Sequence, residues 1–330
     1  MAERLSWGIL ATGSIARQFA RGLKVSRTGT LVATGSRSRE KADAFAAEHG
    51  GQGVEGYEAV LDDPRVQAVY VATPHHLHEE WTIRAARAGK AILCEKPFTL
   101  NALEAERALA AVRDAGVFFM EAFMYRVHPQ TIRVQELLQE GAIGEPLVVN
   151  AEFGFQADRD GGTFRTDAAV GGGGLMDVGA YCVSFARMVA GEEPDDAHLA
   201  ALIGPRGYDE WATGTLRFPG GMSACFATGV HVNLRNDARI YGEAGSIRIS
   251  SPWKCEPRSK VTLRRKGVEE TLELGTDNDT LYAIEADAIA EWLEAGECPH
   301  MTPEDTLGNM RALDALRRSA GLTFAGESRA

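Results

Sequence analysis

Cysteine is scarce in this chain. Its 330 residues hold five thiols, Cys94, Cys182, Cys225, Cys255 and Cys298, odd in number, far apart and never in a C-x-x-C spacing. That excludes a disulfide-stapled scaffold and a cysteine zinc site, and predicts reduced thiols in a cytoplasmic protein. Long apolar runs are missing too: no stretch approaches the ~20 residues of a membrane span. The opening Met1-Ala2-Glu3-Arg4-Leu5-Ser6 carries an acid and only a short apolar run after it, so a secretory signal does not fit. Positive charge is in deficit, 35 Lys and Arg against 46 Asp and Glu, for a net charge of −11. This argues against a nucleic-acid partner. Internal repeats and low-complexity tracts are absent. What is present is an ordinary 45% hydrophobic background, expected of a soluble globular protein that at ~150 residues per domain forms about two domains.

Apolar runs at Leu5–Leu10, Leu31–Thr34, Ala68–Thr73 and Ala91–Cys94 alternate with helix-period segments. The pattern predicts a doubly wound, parallel βαβ sheet, a Rossmann-type domain. A further apolar run, Val117–Phe123, precedes a helical segment from His128 to Gln139. Beyond Pro146 the texture turns to strands, at Leu147–Phe155, Gly214–Phe218, Met222–Thr228, Ser246–Ile249 and Lys260–Leu263, with a helix over Tyr282–Leu293. The prediction is an α/β protein. Residues 1–123 form the doubly wound domain, and 124–330 an α+β domain dominated by a large antiparallel sheet.

The first strand ends in Ala11-Thr12-Gly13-Ser14-Ile15-Ala16, which leads directly into a helix. Such a turn offers unpaired backbone N–H groups and the positive helix end to a phosphate. Thr12, Gly13, Ser14 and Ile15 are therefore candidate cofactor contacts, although Ala11 occupies the first glycine position of the G-x-G-x-x-G/A pattern. The second strand ends at Ser36-Arg37-Ser38-Arg39, where an NAD-selective site carries an acid on the ribose diol about 20 residues on. Hydroxyls and guanidiniums there suit a 2′-phosphate. NADP(H) is thus preferred over NAD(H), with Ser36 and Arg37 as the contacts; a solvated basic loop is the plain alternative.

Thr73-Pro74-His75-His76-Leu77-His78 follows the next strand, where loops converge on a ligand in this fold. Thr73, Pro74, His75 and His78 are read as lining the cofactor. Three histidines without a supporting carboxylate or cysteine do not make a metal site, so no metal is expected. Glu95-Lys96-Pro97 ends the strand Ala91–Cys94 and extends the cofactor-lining set. Lys96 there can point an ammonium into the crevice and favour the deprotonated form of a neighbouring hydroxyl, or belong to a surface Lys–Glu pair. After Gly171-Gly172-Gly173-Gly174, Asp177 and Tyr181 stand four apart. On a helix they share a face and suit binding a substrate hydroxyl and moving its proton; a helix-end acid beside a buried tyrosine is the alternative.

Taken in order, the glycine turn, the Thr-Pro loop with its downstream histidine, Glu-Lys-Pro and the glycine-rich Asp-x-Gly-x-Tyr segment resemble the glucose-fructose oxidoreductase/inositol dehydrogenase (Gfo/Idh/MocA) family over the full length. Met120–Gln130 and Gly172–Tyr181 look most like the branch of dihydrodiol dehydrogenases and NADP-dependent D-xylose dehydrogenases. The resemblance implies Lys96 as polarising lysine, Tyr181 as general acid/base and Asp177 as substrate-orienting partner. It also implies a sugar-like substrate and a homo-oligomer, dimer or tetramer, formed through the open sheet. Inositol dehydrogenase relatives carry histidine at the place of Tyr181, and His75 stands where asparagine is common. The reaction expected is hydride exchange between a hydroxyl carbon and nicotinamide. A tyrosine of ordinary pKa ~10 is a poor base at neutral pH, so the ammonium is needed. Phe155, Arg165 and Trp253 are candidates for the substrate wall, with Phe155 and Trp253 equally suited to a core. Reduction of a keto-sugar or anhydro-sugar, and a non-catalytic NADP/sugar sensor, are the alternatives.

Overall fold

The computed structural model describes residues 4–159 and 163–324, which divide into two compact units. The first holds the chain up to Thr99, Leu103–His128 and Asp277–Leu307. Its strands are β1 (Leu5–Leu10), β2 (Gly29–Ser36), β3 (Gln52–Glu55), β4 (Ala68–Val71), β5 (Ala91–Glu95) and β6 (Phe119–Ala122), paired in the order β3-β2-β1-β4-β5-β6. All pairs are parallel. Strands β4, β5 and β6 are buried at every residue, which is why they read as continuous apolar runs. The interleaved helices are α1 (Ser14–Val25), α2 (Arg39–His49), α3 (Glu58–Leu61), α4 (His78–Arg87) and α5 (Ala102–Ala115). The strand order reverses between β1 and β4, so loops at their C-terminal ends open onto the switch-point crevice.

The second unit holds Leu100–Ala102, Pro129–Thr276 and the chain from Gly308. It contains α6 (Pro129–Gln139), α7 (Ala180–Ala190) and strands β7 (Pro146–Gly154), β8 (Asp196–Ile203), β9 (Asp209–Arg217), β10 (Ser223–Gly229), β11 (Ala238–Gly242), β12 (Gly245–Ile249), β13 (Lys260–Arg265) and β14 (Val268–Glu273). They form one sheet in the order β14-β13-β12-β11-β7-β10-β9-β8, antiparallel except where β7 meets β10. Alternation along β7 and β9 buries Val149, Ala151, Phe153, Ala212 and Leu216 on one face. The opposite face leaves Val148, Leu202, Trp211 and Tyr241 exposed.

The division differs from the expected boundary at residue 123. The first unit runs on to His128, and α8 (Asn278–Trp292) returns to it from the far end of the sequence. The reason is close packing on α1: a Cβ at Gly22 would fall 2.6 Å from Tyr282 Cβ and 2.9 Å from the Ala283 nitrogen. The Asp287 carboxylate then accepts the Ser26 and Thr28 hydroxyls, each at 2.6 Å. A last helix, α9 (Pro303–Ser319), is shared between the units at Leu307 and Gly308.

Candidate active site

In the first unit the glycine turn leaves β1 at Ala11, whose φ of 99° lies in the region glycine favours. Its N–H is tied to the Gly35 carbonyl at 3.0 Å. Gly13 caps α1 without a side-chain hydrogen bond, and the first turn of that helix holds no acid. An added Cβ at Gly13 meets nothing within 4 Å. The turn thus offers uncapped N–H groups and open space, a cradle that fits a dinucleotide phosphate. At the end of β2, Ser36 is buried and Arg37 exposed. Arg39 is committed elsewhere, its Nε reaching Asp43 at 3.0 and 2.9 Å. No carboxylate occupies Ser36–Arg39, and Glu55 pairs with Ser36 from the neighbouring strand β3.

The Thr73–His78 loop includes a short 3₁₀ turn, His75–Leu77. Thr73 and His75 are buried, Pro74 half-buried. His78 departs from its expected place facing a cofactor. It is 1% exposed, with Nε2 2.7 Å from the Thr73 carbonyl and Nδ1 3.1 Å from those of Pro97 and Phe98. Burial pushes its pKa down to about 4, against the pull of those carbonyls. Both ring nitrogens face backbone carbonyls, and the neutral ring donates its one N–H to one side, so His78 is a brace between the loops after β4 and β5.

Lys96 follows β5, half-buried, ahead of a cis peptide bond to Pro97. Its N–H donates to Glu95 Oε2 at 3.2 Å, and the Tyr70 hydroxyl donates to Glu95 Oε1. Phe98 N–H is held by Glu121 at 2.9 Å. Burial and the charge of Glu95 raise Glu285 on α8 well above the usual carboxylate range. Sequence reasoning missed Glu121 and Glu285; an acid inside an apolar run is the only signal either carries.

In the second unit the glycine run leads into a π-helical turn, Leu175–Gly179, continuous with α7. Asp177 and Tyr181 are therefore helical as expected, but across a wider turn, a feature enriched at functional sites. Asp177 is 4% exposed and Tyr181 3%. Arg165, from a 3₁₀ turn at Phe164–Thr166, places Nε 2.9 Å from Asp177 Oδ2 and lies over the Phe164 ring. The structure thus joins Arg165 to Asp177, a pair the sequence reading left separate. Phe155 is half-buried just beyond β7. Trp253 gives way as a substrate wall. It is 1% exposed, donates its indole N–H to the Glu152 carbonyl at 2.8 Å and stacks on Phe153 at 5.8 Å. It meets the Tyr181 ring edge-on at 6.0 Å, so it supports that ring from the core.

Among the described residues, no three His, Cys, Asp or Glu side chains are grouped to hold a metal, and no helix is long and apolar enough to cross a membrane.

Comparison with known proteins agrees with this fold. Residues 5–123 match the oxidoreductase family with an NAD-binding Rossmann fold, and residues 131–248 the GFO/IDH/MocA C-terminal domain. A trans-1,2-dihydrobenzene-1,2-diol dehydrogenase from Mus musculus is 33% identical over 335 residues, covering 98% of this chain and 99% of its own. Among solved structures, a 3-ketoreductase from Actinomadura kijaniata, in complex with NADP and TDP-benzene, is similar with TM-score 0.85 and 31% identity, covering 96% of this chain and 98% of that one. An aldose-aldose oxidoreductase from Caulobacter crescentus gives TM-score 0.89 at 28% identity, covering 97% and 98%. Matched in both of its domains and by a relative along nearly its whole length, the chain belongs to the Gfo/Idh/MocA family of NAD-binding oxidoreductases.

Proposed function

We propose that this oxidoreductase uses NADP(H) to interconvert a hydroxyl and a carbonyl on a sugar, polyol or trans-dihydrodiol. The observation that carries the reading is the pairing of Arg165 with Asp177 on the π turn, four residues before Tyr181, in a chain that also keeps Lys96 just after β5. The nicotinamide cofactor, when bound, supplies or accepts the hydride. Thr12, Gly13, Ser14 and Ile15 would hold its phosphates through backbone N–H groups, and Ser36 and Arg37 its 2′-phosphate.

Tyr181 takes the hydroxyl proton in oxidation and returns it to the developing alkoxide in reduction. Lys96 supplies the positive charge that favours the phenolate. Asp177, fixed by Arg165, accepts a hydrogen bond from the substrate and orients it. The similarity to a 3-ketoreductase favours, as a second reading, reduction of a keto-sugar by the same groups. We further propose a homo-oligomer through the outer face of the second unit's sheet, where the cross-strand pairs Val148–Tyr241 and Leu202–Trp211 leave apolar side chains exposed.

The test is nicotinamide absorbance with NADP⁺ and NAD⁺ in parallel, against aldoses, inositols and trans-dihydrodiols, with keto-sugars in reverse. NADP⁺-selective turnover that Tyr181→Phe depresses at least a hundredfold, with NADPH affinity unchanged, is expected. Undiminished turnover in Tyr181→Phe refutes the assignment, and NADPH binding with no turnover on any compound favours a sensor.

A further inference from the structure

The glycine run before the π turn has no side chains of its own with which to hold the backbone that presents Asp177 and Tyr181. Strands β9 and β10 supply the hold. Asp209 opens β9, is 2% exposed, and its Oδ2 accepts the Leu175 N–H at 2.7 Å. The Gly174 N–H lies on the same side and lowers the proton affinity of that carboxylate. From β10, the Thr228 hydroxyl donates to the Gly174 carbonyl at 2.9 Å.

The glycines are what let the carboxylate in. Gly173 sits at φ 129°, and a Cβ there would fall 2.0 Å from Asp209 Oδ1; one on Gly174 would lie 2.6 Å from Gly229 Cα and 3.2 Å from Asp209 Oδ2. Gly173 closes the loop on both sides, donating its N–H to the Arg165 carbonyl and accepting that of Asp177, each at 3.0 Å. Asp209 therefore works as a carboxylate cap, reaching from a distant strand to the positive end of the helix that carries the proposed reacting groups.

We propose that Asp209 is a positioning residue: ionised, it fastens the Gly173–Leu175 backbone so that Asp177 and Tyr181 are held for reaction, and its protonation loosens them. The proposal rests on the oxidoreductase reading above. Ionised, the carboxylate gives the Leu175 N–H a charged acceptor; protonated, it offers a weaker neutral one, and a proton on Oδ2 would face that N–H donor to donor.

Burial places this exchange in the working range, raising Asp209 to about 7, with the Leu175 and Gly174 N–H groups pulling the other way. The titratable groups on the elements around it are engaged with one another: Asp177 with Arg165, Glu210 with Arg159 at 2.7 Å, and the Tyr208 hydroxyl with His231 Nε2 at 2.9 Å. Among the described residues, burial and backbone N–H groups set its proton affinity, not a neighbouring charge.

The experiment compares the full-length protein with Asp209→Asn and Asp209→Glu. It measures kcat against pH from 5.5 to 9, and hydrogen–deuterium exchange over Gly172–Tyr181, corrected for intrinsic rates; the exchange needs no substrate. In the unsubstituted protein kcat should fall about tenfold per pH unit below a midpoint near 7, with little change in KM for NADP⁺, and the 172–181 amides should exchange faster at pH 6 than at pH 8. Asp209→Asn should give a low, flat profile and fast exchange at both pH values, with Asp209→Glu restoring part of the acid limb. An acid limb that persists in Asp209→Asn, or exchange over 172–181 that ignores both pH and substitution, overturns the proposal. If Asp209→Asn fails to fold, the pH dependence of exchange in the unsubstituted protein decides alone. Absence of any turnover, with exchange responding as expected, sinks the oxidoreductase reading and leaves Asp209 as the fastener of this turn.

Discussion

Replacing Asp287 with alanine tests whether α8 truly belongs to the dinucleotide-binding unit. Its carboxylate is 10% exposed and gathers five donors from the turn between α1 and β2. Oδ1 takes Ser26 Oγ and Thr28 Oγ1 at 2.6 Å and Thr28 N–H at 3.0 Å; Oδ2 takes Arg27 N–H at 3.3 Å and Arg27 Nε at 3.2 Å. The Arg27 guanidinium is 84% exposed, so that ion pair adds little. The two hydroxyls and the Thr28 amide matter more. Each bond to a charged acceptor is worth roughly 1.5–3 kcal/mol, and they are not additive because the donors re-solvate in part. A total loss of about 3 kcal/mol is expected for Asp287→Ala.

The pH dependence carries a sign. Burial works to raise the Asp287 pKa, but the bonds from Ser26, Thr28 and Arg27 outweigh it, and the net shift is downward from 3.8. A carboxyl depressed on folding contributes stability that is present above its unfolded value, about 4, and lost as pH falls through the folded one. The gap between Asp287→Ala and the unsubstituted protein should be full at pH 7 and shrink below pH 4. Urea midpoints at pH 7 and pH 3 measure it, with hydrogen–deuterium exchange reporting whether α1 and α8 lose protection together. A loss under about 0.5 kcal/mol at pH 7, or a loss of equal size at pH 3, refutes this account of the docking.

Two further outcomes follow from the cofactor turn. Ala11→Gly relieves a left-handed backbone that costs an L-residue roughly 1–2 kcal/mol, less the entropy glycine brings to the unfolded chain; a gain of about 0.5–1 kcal/mol is expected, visible as a raised Tm, and a lowered Tm contradicts it. Arg37→Ala should raise KM for NADP⁺ by about ten- to a hundredfold, the equivalent of one charge-assisted contact, and leave KM for NAD⁺ nearly unchanged; a parallel rise for both cofactors places Arg37 away from the 2′-phosphate.

The contrast between what the residues announced and what they concealed follows the range of the interactions involved. Strand β1 matches its predicted limits, Leu5–Leu10, and is buried at every residue but Ser6, because a strand covered on both faces of a parallel sheet is apolar along most of its length. Strands β3, Gln52-Gly53-Val54-Glu55, and β14, Val268–Glu273, lie at sheet edges. They carry no such demand, and β14 is exposed at every residue, so their composition reads as loop. The glycine turn, Glu95-Lys96-Pro97 and the Asp177/Tyr181 spacing were legible because each depends on neighbours a few residues away. The return of α8 was not, since a helix's own periodicity does not name its partner; the clue was a glycine at position 22, in another helix. His78 misled for a related reason. Its place at the crevice loop suggested a ligand contact, but only the fold reveals that carbonyls from residues 73, 97 and 98 surround it. Asp209 is the extreme case. In Tyr208-Asp209-Glu210-Trp211 it is one of two adjacent acids at a strand start, and its partner amide lies 34 residues earlier. The proposed reacting groups need only be displayed, so local sequence betrays them; the groups proposed to hold them still are drawn from wherever the chain passes close, and only the folded backbone identifies those.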